Sequence, residues 1–110
     1  MVLLPQDSTI NPSKLTQYLL IELPKDDKSK FLAQAGYTLT NWQQLEQDLR
    51  TQILTQPAEL VETTLYGQKY RIRATLRGQN GIKLKIITIW IVNNNTTRFV
   101  TLVPDKGENS

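Results

Sequence analysis

ELVETTLYGQKYRIRATLRGQNGIKLKIITIWIVNNNTTRFVTLV, residues 59–103, sets the architecture of this 110-residue chain. It contains four segments in which β-branched and aromatic residues alternate with polar ones, a pattern typical of strands. Turn-forming sequences rich in glycine and asparagine separate them, and such short connections favour an antiparallel meander. We predict strands over 59–66, 69–77, 83–92 and 97–103.

The preceding half of the chain shows helical periodicity instead, with apolar residues recurring three and four positions apart. Three helices are predicted: one after Asn11-Pro12, one from about Asp26 to Gly36, and one from about Thr40 to Pro57. Helices followed by strands predict an α+β fold, with three N-terminal helices packed on one face of a four-stranded antiparallel β-sheet meander. We expect an N-terminal arm over 1–11, a single domain over 12–103 and a flexible tail over 104–110.

Composition excludes several function classes. The chain has no cysteine and no histidine, which rules out disulfides, thiolate nucleophiles, histidine acid–base chemistry and zinc sites built on these residues. Its longest apolar run, Ile86 to Val92, is far shorter than the ~20 residues that span a bilayer. The run Asn93–Asn95 lacks the carboxylates of a calcium site. We therefore expect a cytoplasmic protein with no cofactor, no metal and no membrane partner.

Positive charge is concentrated in the predicted sheet. The formal net charge of the chain is +3, yet seven of its basic residues lie within 57–103 beside only Glu59 and Glu62. A field of this kind attracts phosphates. The alternative is that basic residues on a solvated strand face only keep the sheet soluble.

Hairpin register predicts which residues share a sheet face. Tight turns at Gly67-Gln68 and Gln79-Asn80 and a three-residue loop at 93–95 pair Glu62 with Arg73, Arg71 with Thr88, and Trp90 with Arg98. The covered face then holds Leu65, Tyr70, Ile72, Ala74, Leu76, Ile87, Ile89, Ile91 and Phe99. The open face holds Glu62, Thr64, Arg71, Arg73, Thr75, Thr88, Trp90 and Arg98.

Five motifs resemble a known family: KLTQYLL (14–20), KFLAQAGY (30–37), GQKYRIRATLRGQNG (67–81), TIWIV (88–92) and RFVTLVP (98–104). They are similar to an uncharacterised bacterial domain found in small cyanobacterial proteins and at the C-terminal ends of phage-head-associated toxin polypeptides. The family often has a proline where this chain has Gln79. More distantly, helices before a four-stranded sheet resemble the barnase–EndoU–colicin–RelE-like ribonuclease toxins.

This resemblance implies a toxin-like domain that binds RNA on the basic sheet face, and it leaves open whether the domain cleaves RNA as a metal-independent endoribonuclease. Cleavage would need a base, a proton donor and cations around the phosphate. The candidate catalytic residues are Glu62, Arg73, Thr88 and Arg98. The candidate RNA-binding residues are Lys14, Lys30, Arg71 and Trp90, with the tryptophan stacking on a base.

Each candidate also has a structural interpretation. Glu62 and Arg73 would form a cross-strand ion pair, Trp90 would pack under a loop, Thr88 would be a strand former and Lys14 would be solvated surface. The alternative function is a non-enzymatic module that binds a small acidic, antitoxin-like protein, and a third is an ancestral fold retained without catalysis. The sequence does not predict the oligomeric state.

Overall fold

Four consecutive strands form one antiparallel sheet in the computed structural model, which describes residues 2–25 and 27–106. The strands are β1 (Glu59–Thr64), β2 (Gly67–Arg77), β3 (Lys83–Asn93) and β4 (Thr96–Pro104). Their order across the sheet is their order along the chain. The predicted meander and the α+β character are therefore confirmed.

The prediction of three helices packed on the sheet is wrong. The described residues contain two longer helical segments, of 8 and 15 residues. The first is α1 (Pro12–Lys14) with a continuation over Leu15–Leu19. The second is α3 (Trp42–Asp48), preceded by a 3₁₀ turn over Leu39–Asn41 and continued over Leu49–Ile53. Both continuations end in an i→i+5 hydrogen bond, from Leu20 to Leu15 and from Leu54 to Leu49.

Between these segments lies only the short α2 (Ser29–Ala33). Residue 26, one of the two acidic residues expected to begin this helix, lies outside the described residues. Asp27 accepts hydrogen bonds from the Ser29 amide at 3.3 Å and the Ser29 hydroxyl at 2.8 Å, and the hydroxyl bond lowers the pKa of Asp27. Gly36 has a φ of 89°, which ends the segment in the left-handed region. The residues between cap and stop therefore form only one short helix, whose Leu32 is buried in the core.

All three hairpins differ from the predicted register. The β1–β2 turn is Leu65-Tyr66, because Thr64 pairs with Gly67. The β2–β3 loop spans five residues, 78–82, because Arg77 pairs with Lys83. The β3–β4 turn is Asn94-Asn95, with φ values of 52° and 64° that suit asparagine in a type I′ turn. A bulge between Ile89 and Trp90 shifts the register along β4.

The hydrophobic core lies between the helical segments and one face of the sheet. It contains Leu15, Leu19, Leu45, Leu49 and Ile53 from the helical segments. From the strands it takes Ile72, Leu76, Leu84, Ile86, Trp90, Phe99 and Leu102. None of the helices in the described part of the chain is long and apolar enough to cross a membrane.

The segment predicted as an arm packs on the domain. Leu4 and Ile10 are buried in the core. Val2 forms a bridge with Ala58, just before β1, and Thr9 forms a parallel bridge with Arg98 of β4. At the other end of the domain, the Asp105 amide donates to the Lys85 carbonyl at 2.8 Å, while residues 107–110 of the predicted tail lie outside the described residues.

Candidate functional site

The two faces of the sheet have different chemistry. Even-numbered positions of β2 and β3 point into the core, and odd-numbered positions point away from it, on what we call the outer face. Cross-strand partners extend the outer face onto β1 and β4. Its basic residues are Lys69, Arg71, Arg73, Arg77, Lys83, Lys85 and Arg98. The outer face is thus the basic surface that the sequence predicts.

Thr88 and Trp90 lie on the covered face, so their predicted place on the open face is wrong. Both are fully buried, and the Trp90 indole donates to the Thr88 hydroxyl at 2.8 Å. The Trp90 ring also packs edge-to-face against Phe99 with centroids 5.2 Å apart. The five-residue β2–β3 loop causes this exchange, because it shifts β3 by one residue and turns each of its side chains to the other face. These two residues therefore make no contact with a ligand on the outer face.

The isoleucines of β3 show the opposite difference, because they are predicted on the covered face and lie on the outer face. Ile87, Ile89 and Ile91 pair with Arg73, Arg71 and Lys69, respectively. They are half-buried on the outer face rather than enclosed by helices. The predicted covered face is otherwise correct for Ile72, Leu76 and Phe99, whereas Leu65 is 99% exposed in the first turn.

Three of the predicted site residues are held in ion pairs. Arg71 contacts Glu59 at 3.4 Å, and Arg73 contacts Asp105 at 3.4 Å. Glu62 pairs with Lys69 at 3.6 Å, not with Arg73 as predicted, because the β1–β2 turn lies two residues earlier than expected.

Arg98 and Lys14 both line a cleft of about 520 Å³, which we call the Arg98 cleft. Lys14 reaches it from α1, and Arg98 reaches it from the outer face of β4. Across the described residues, 2–25 and 27–106, neither side chain forms an ion pair. The remaining lining residues are Thr9, Asn11, Tyr66, Ile91, Phe99 and Val100.

Tyr66 supplies an aromatic ring at the rim of the cleft. It occupies the tight β1–β2 turn and is 76% exposed. The sequence pattern assigned Tyr66 to the end of a strand and gave no reason to place it beside Arg98. Thr9 and Asn11 were missed in the same way, because the bridge between the arm and β4 joins residues that are distant along the chain.

The other predicted RNA-binding lysine lies elsewhere. Lys30 is exposed on α2 and lines a different depression with Leu20, Glu22 and Tyr37. The Arg98 cleft therefore unites two of the eight predicted site residues, Lys14 and Arg98. Among the residues the structure describes, no three acidic side chains cluster in a way that would hold a metal ion.

Comparison with known proteins gives a family but no activity. No curated protein and no solved structure matches the chain. One family does match, over residues 5–106, and this range includes the sheet, both helical segments and every lining residue of the Arg98 cleft. The chain belongs to the family described as a domain of unknown function, DUF6883.

Proposed function

We propose that this domain binds RNA, with the Arg98 cleft holding a phosphate and an adjacent base. The observation that supports the proposal is that two cations without ion pairs in the described chain line the same cleft as an exposed aromatic ring. A guanidinium and an ammonium bind a phosphate by charge-assisted hydrogen bonds, and the Tyr66 ring offers a base a surface for stacking. This combination of cations and an aromatic ring is typical of proteins that bind single strands.

The rest of the outer face extends the positive field around the cleft. Its seven basic residues outnumber the three carboxylates that pair with them, Glu59, Glu62 and Asp105. Arg71, Arg73 and Lys69 are held by these partners, so we assign them to long-range attraction of the RNA backbone rather than to phosphate contacts. Glu62, the predicted base, is not a lining residue of the cleft. The described lining residues include no carboxylate, and the proposal is therefore binding without cleavage.

The test compares variants of equal charge. Arg98→Ala and Lys14→Ala each remove one cation from the cleft. The control, Lys83→Ala, removes one cation from the far end of the outer face. Lys83 lies eight residues along β3 from the cleft residue Ile91, which corresponds to about 26 Å. A hydrogen bond to a charged group contributes about 1.5–3 kcal/mol. We expect the two cleft variants to lose roughly 10- to 100-fold in affinity for a single-stranded RNA oligonucleotide, and Lys83→Ala to lose little.

Salt dependence gives a second measurement. Each phosphate contact with a single strand contributes about 0.7 to the slope of log affinity against log salt concentration. Fluorescence anisotropy titrations at several salt concentrations should show a slope reduced by about that amount in Arg98→Ala and unchanged in Lys83→Ala. Equal losses of RNA affinity in all three variants would show that the net charge of the protein alone attracts the RNA. Recovery of shortened RNA after incubation with the protein would contradict the proposal that the domain binds RNA without cleaving it.

A further inference from the structure

We propose that the outer face also carries a docking site for a partner protein, namely a short amphipathic helix with acidic residues at both ends. The site is a stripe formed by Ile87, Ile89 and Ile91 on β3, which we call the isoleucine stripe. This inference goes beyond RNA binding, because it concerns a protein ligand, although Ile91 and, at the end of the stripe, Arg98 also line the Arg98 cleft.

The stripe is apolar and lies on the face opposite the core. The buried apolar side chains of the helical segments belong to the core on the covered face. The three isoleucines alternate along β3 at half-buried positions, and Val103 of β4 is the cross-strand neighbour of Ile87. A row of adjacent branched aliphatic side chains facing away from a core is typical of protein interaction sites.

The charges around the stripe define the partner. On the β2 side, Arg71 and Arg73 already have carboxylate partners within the chain. The cations at the two ends of the stripe, Lys85 and Arg98, have none among the described residues. The partner that complements this pattern has an apolar centre and a carboxylate at each end.

The length of the stripe sets the length of the partner. Lys85 and Ile91, the cross-strand neighbour of Arg98, lie six residues apart on β3, which corresponds to about 20 Å. A helix rises about 1.5 Å per residue, so about 13 residues cover this distance. Apolar residues at every third and fourth position of such a helix would contact the stripe.

Two other occupants fit less well. A second copy of this chain would place Lys85 and Arg98 against the basic outer face of its neighbour. A nucleic acid would find aliphatic side chains along the stripe, whereas bases stack on aromatic rings. The acidic helix alone satisfies both the apolar centre and the charged ends.

The test uses a synthetic 16-residue peptide with leucine at every third and fourth position and two glutamates at each end. A control peptide has the same composition in scrambled order. In NMR titrations of the full-length ¹⁵N-labelled chain, we expect the designed peptide to shift the amide signals of Ile87, Ile89 and Ile91, and the scrambled peptide to leave them in place. Equal shifts with both peptides, or shifts confined to other residues, would overturn the proposal.

Four variants separate this site from the RNA site. We expect Ile89→Lys to weaken peptide binding at least tenfold, and Ile82→Lys, a matched change at an exposed loop isoleucine, to leave it unchanged. Ile89→Thr keeps a β-branched residue in the strand and should weaken binding as well, which covers the case in which the lysine variant fails to fold. Lys14→Ala should keep full peptide affinity. Unchanged binding in both Ile89 variants, or a dimer of the unmodified chain that Ile89→Thr dissociates, would contradict the proposal.

Discussion

At the scale of single residues, the hydroxyl group of Tyr37 lies within the core and contacts two oxygen atoms. It lies 2.5 Å from a carboxylate oxygen of Asp48 and 3.0 Å from the Arg77 carbonyl. The hydroxyl has a single proton, and the shorter distance and the negative charge of the carboxylate assign that proton to Asp48. Burial, together with the bond to Asp48 and its negative charge, raises the pKa of Tyr37.

We expect Tyr37→Phe to lower the free energy of unfolding by about 1–3 kcal/mol, because Asp48 is buried and would lose one of its hydrogen-bond donors. The control is Tyr70→Phe, whose hydroxyl makes a single exposed hydrogen bond of 3.5 Å. Urea unfolding of both variants measures the difference. A loss of equal size in the two would show that the Tyr37 hydroxyl has no special role.

The raised pKa of Tyr37 also makes the difference in unfolding free energy between the unmodified chain and Tyr37→Phe depend on pH. An unfolded tyrosine loses its proton near pH 10, whereas the folded Tyr37 keeps it at that pH. The contribution of the Tyr37 hydroxyl to the free energy of unfolding is complete below about pH 10. It falls above that pH, by up to about 1.4 kcal/mol for each pH unit. We expect the stability gap between the unmodified chain and Tyr37→Phe to narrow between about pH 9.5 and 11, and a constant gap would contradict this expectation.

At the scale of elements, the sequence predicts the strands well and their register poorly. All four strands were found because a period of two reflects the pleat itself. Register depends on loop length, and the stretch from Gly78 to Ile82 fits a two-residue turn as well as the five-residue loop that forms. That difference of one pairing position moved Thr88 and Trp90 into the core and left Ile89 outside.

The helical half shows the same limit. The apolar spacing around Leu15 and Leu45 found the two larger segments, since each buries one face in the core. The spacing around Leu32 gave the same signal, although only five residues between its cap and Gly36 are helical. Of the candidate site, Arg98 was predictable from the charge of the sheet and Lys14 from the family resemblance, whereas Thr9 and Tyr66 depend on tertiary contacts.

Glycine substitutions in the β2–β3 loop test how this element docks on the preceding half. A Cβ atom at Gly78 would lie 1.9 Å from the Ala35 carbonyl oxygen, so backbone would have to move. Gly81 has a φ of 83° but open space around it. We expect Gly78→Ala to cost about 3 kcal/mol of unfolding free energy by overpacking, and Gly81→Ala to cost about 1 kcal/mol through backbone strain.

Thermal unfolding of the two glycine variants measures both costs. Gly81→Ala is the control, because it lies in the same loop and adds the same methyl group. Equal melting temperatures would mean that the close approach of Gly78 to Ala35 does not hold the loop in place.

At the scale of the whole molecule, Arg50 ties the N-terminal arm to the helical half. Its guanidinium donates to the carbonyls of Gln6 at 2.8 Å and Ser8 at 2.6 Å, and it also pairs with Glu46 at 3.2 Å. The arm in turn supplies Thr9 to the Arg98 cleft. Arg50 itself is not a lining residue, so it affects the cleft only through the arm.

We expect Arg50→Ala to lower the free energy of unfolding by about 1–3 kcal/mol and to weaken RNA binding, because the arm that carries Thr9 loosens although no cleft residue is substituted. The matched control is Arg77→Ala, which removes the same charge from an exposed site at the opposite end of the sheet. Hydrogen exchange of the Phe99 amide, which donates to the Thr9 carbonyl at 2.8 Å, reports whether the arm has loosened. Protection unchanged in Arg50→Ala would contradict this coupling.

The order of the strands has a consequence for the folding pathway. Each strand pairs with its neighbour along the chain, so all three hairpins close small loops and are expected to nucleate early. The bridges from Val2 to Ala58 and from Thr9 to Arg98 close far longer loops, and their entropic cost places them late. A full-length chain that refolds would therefore form its sheet first, and the Arg98 cleft, the proposed phosphate site, would be complete only after the last step of folding.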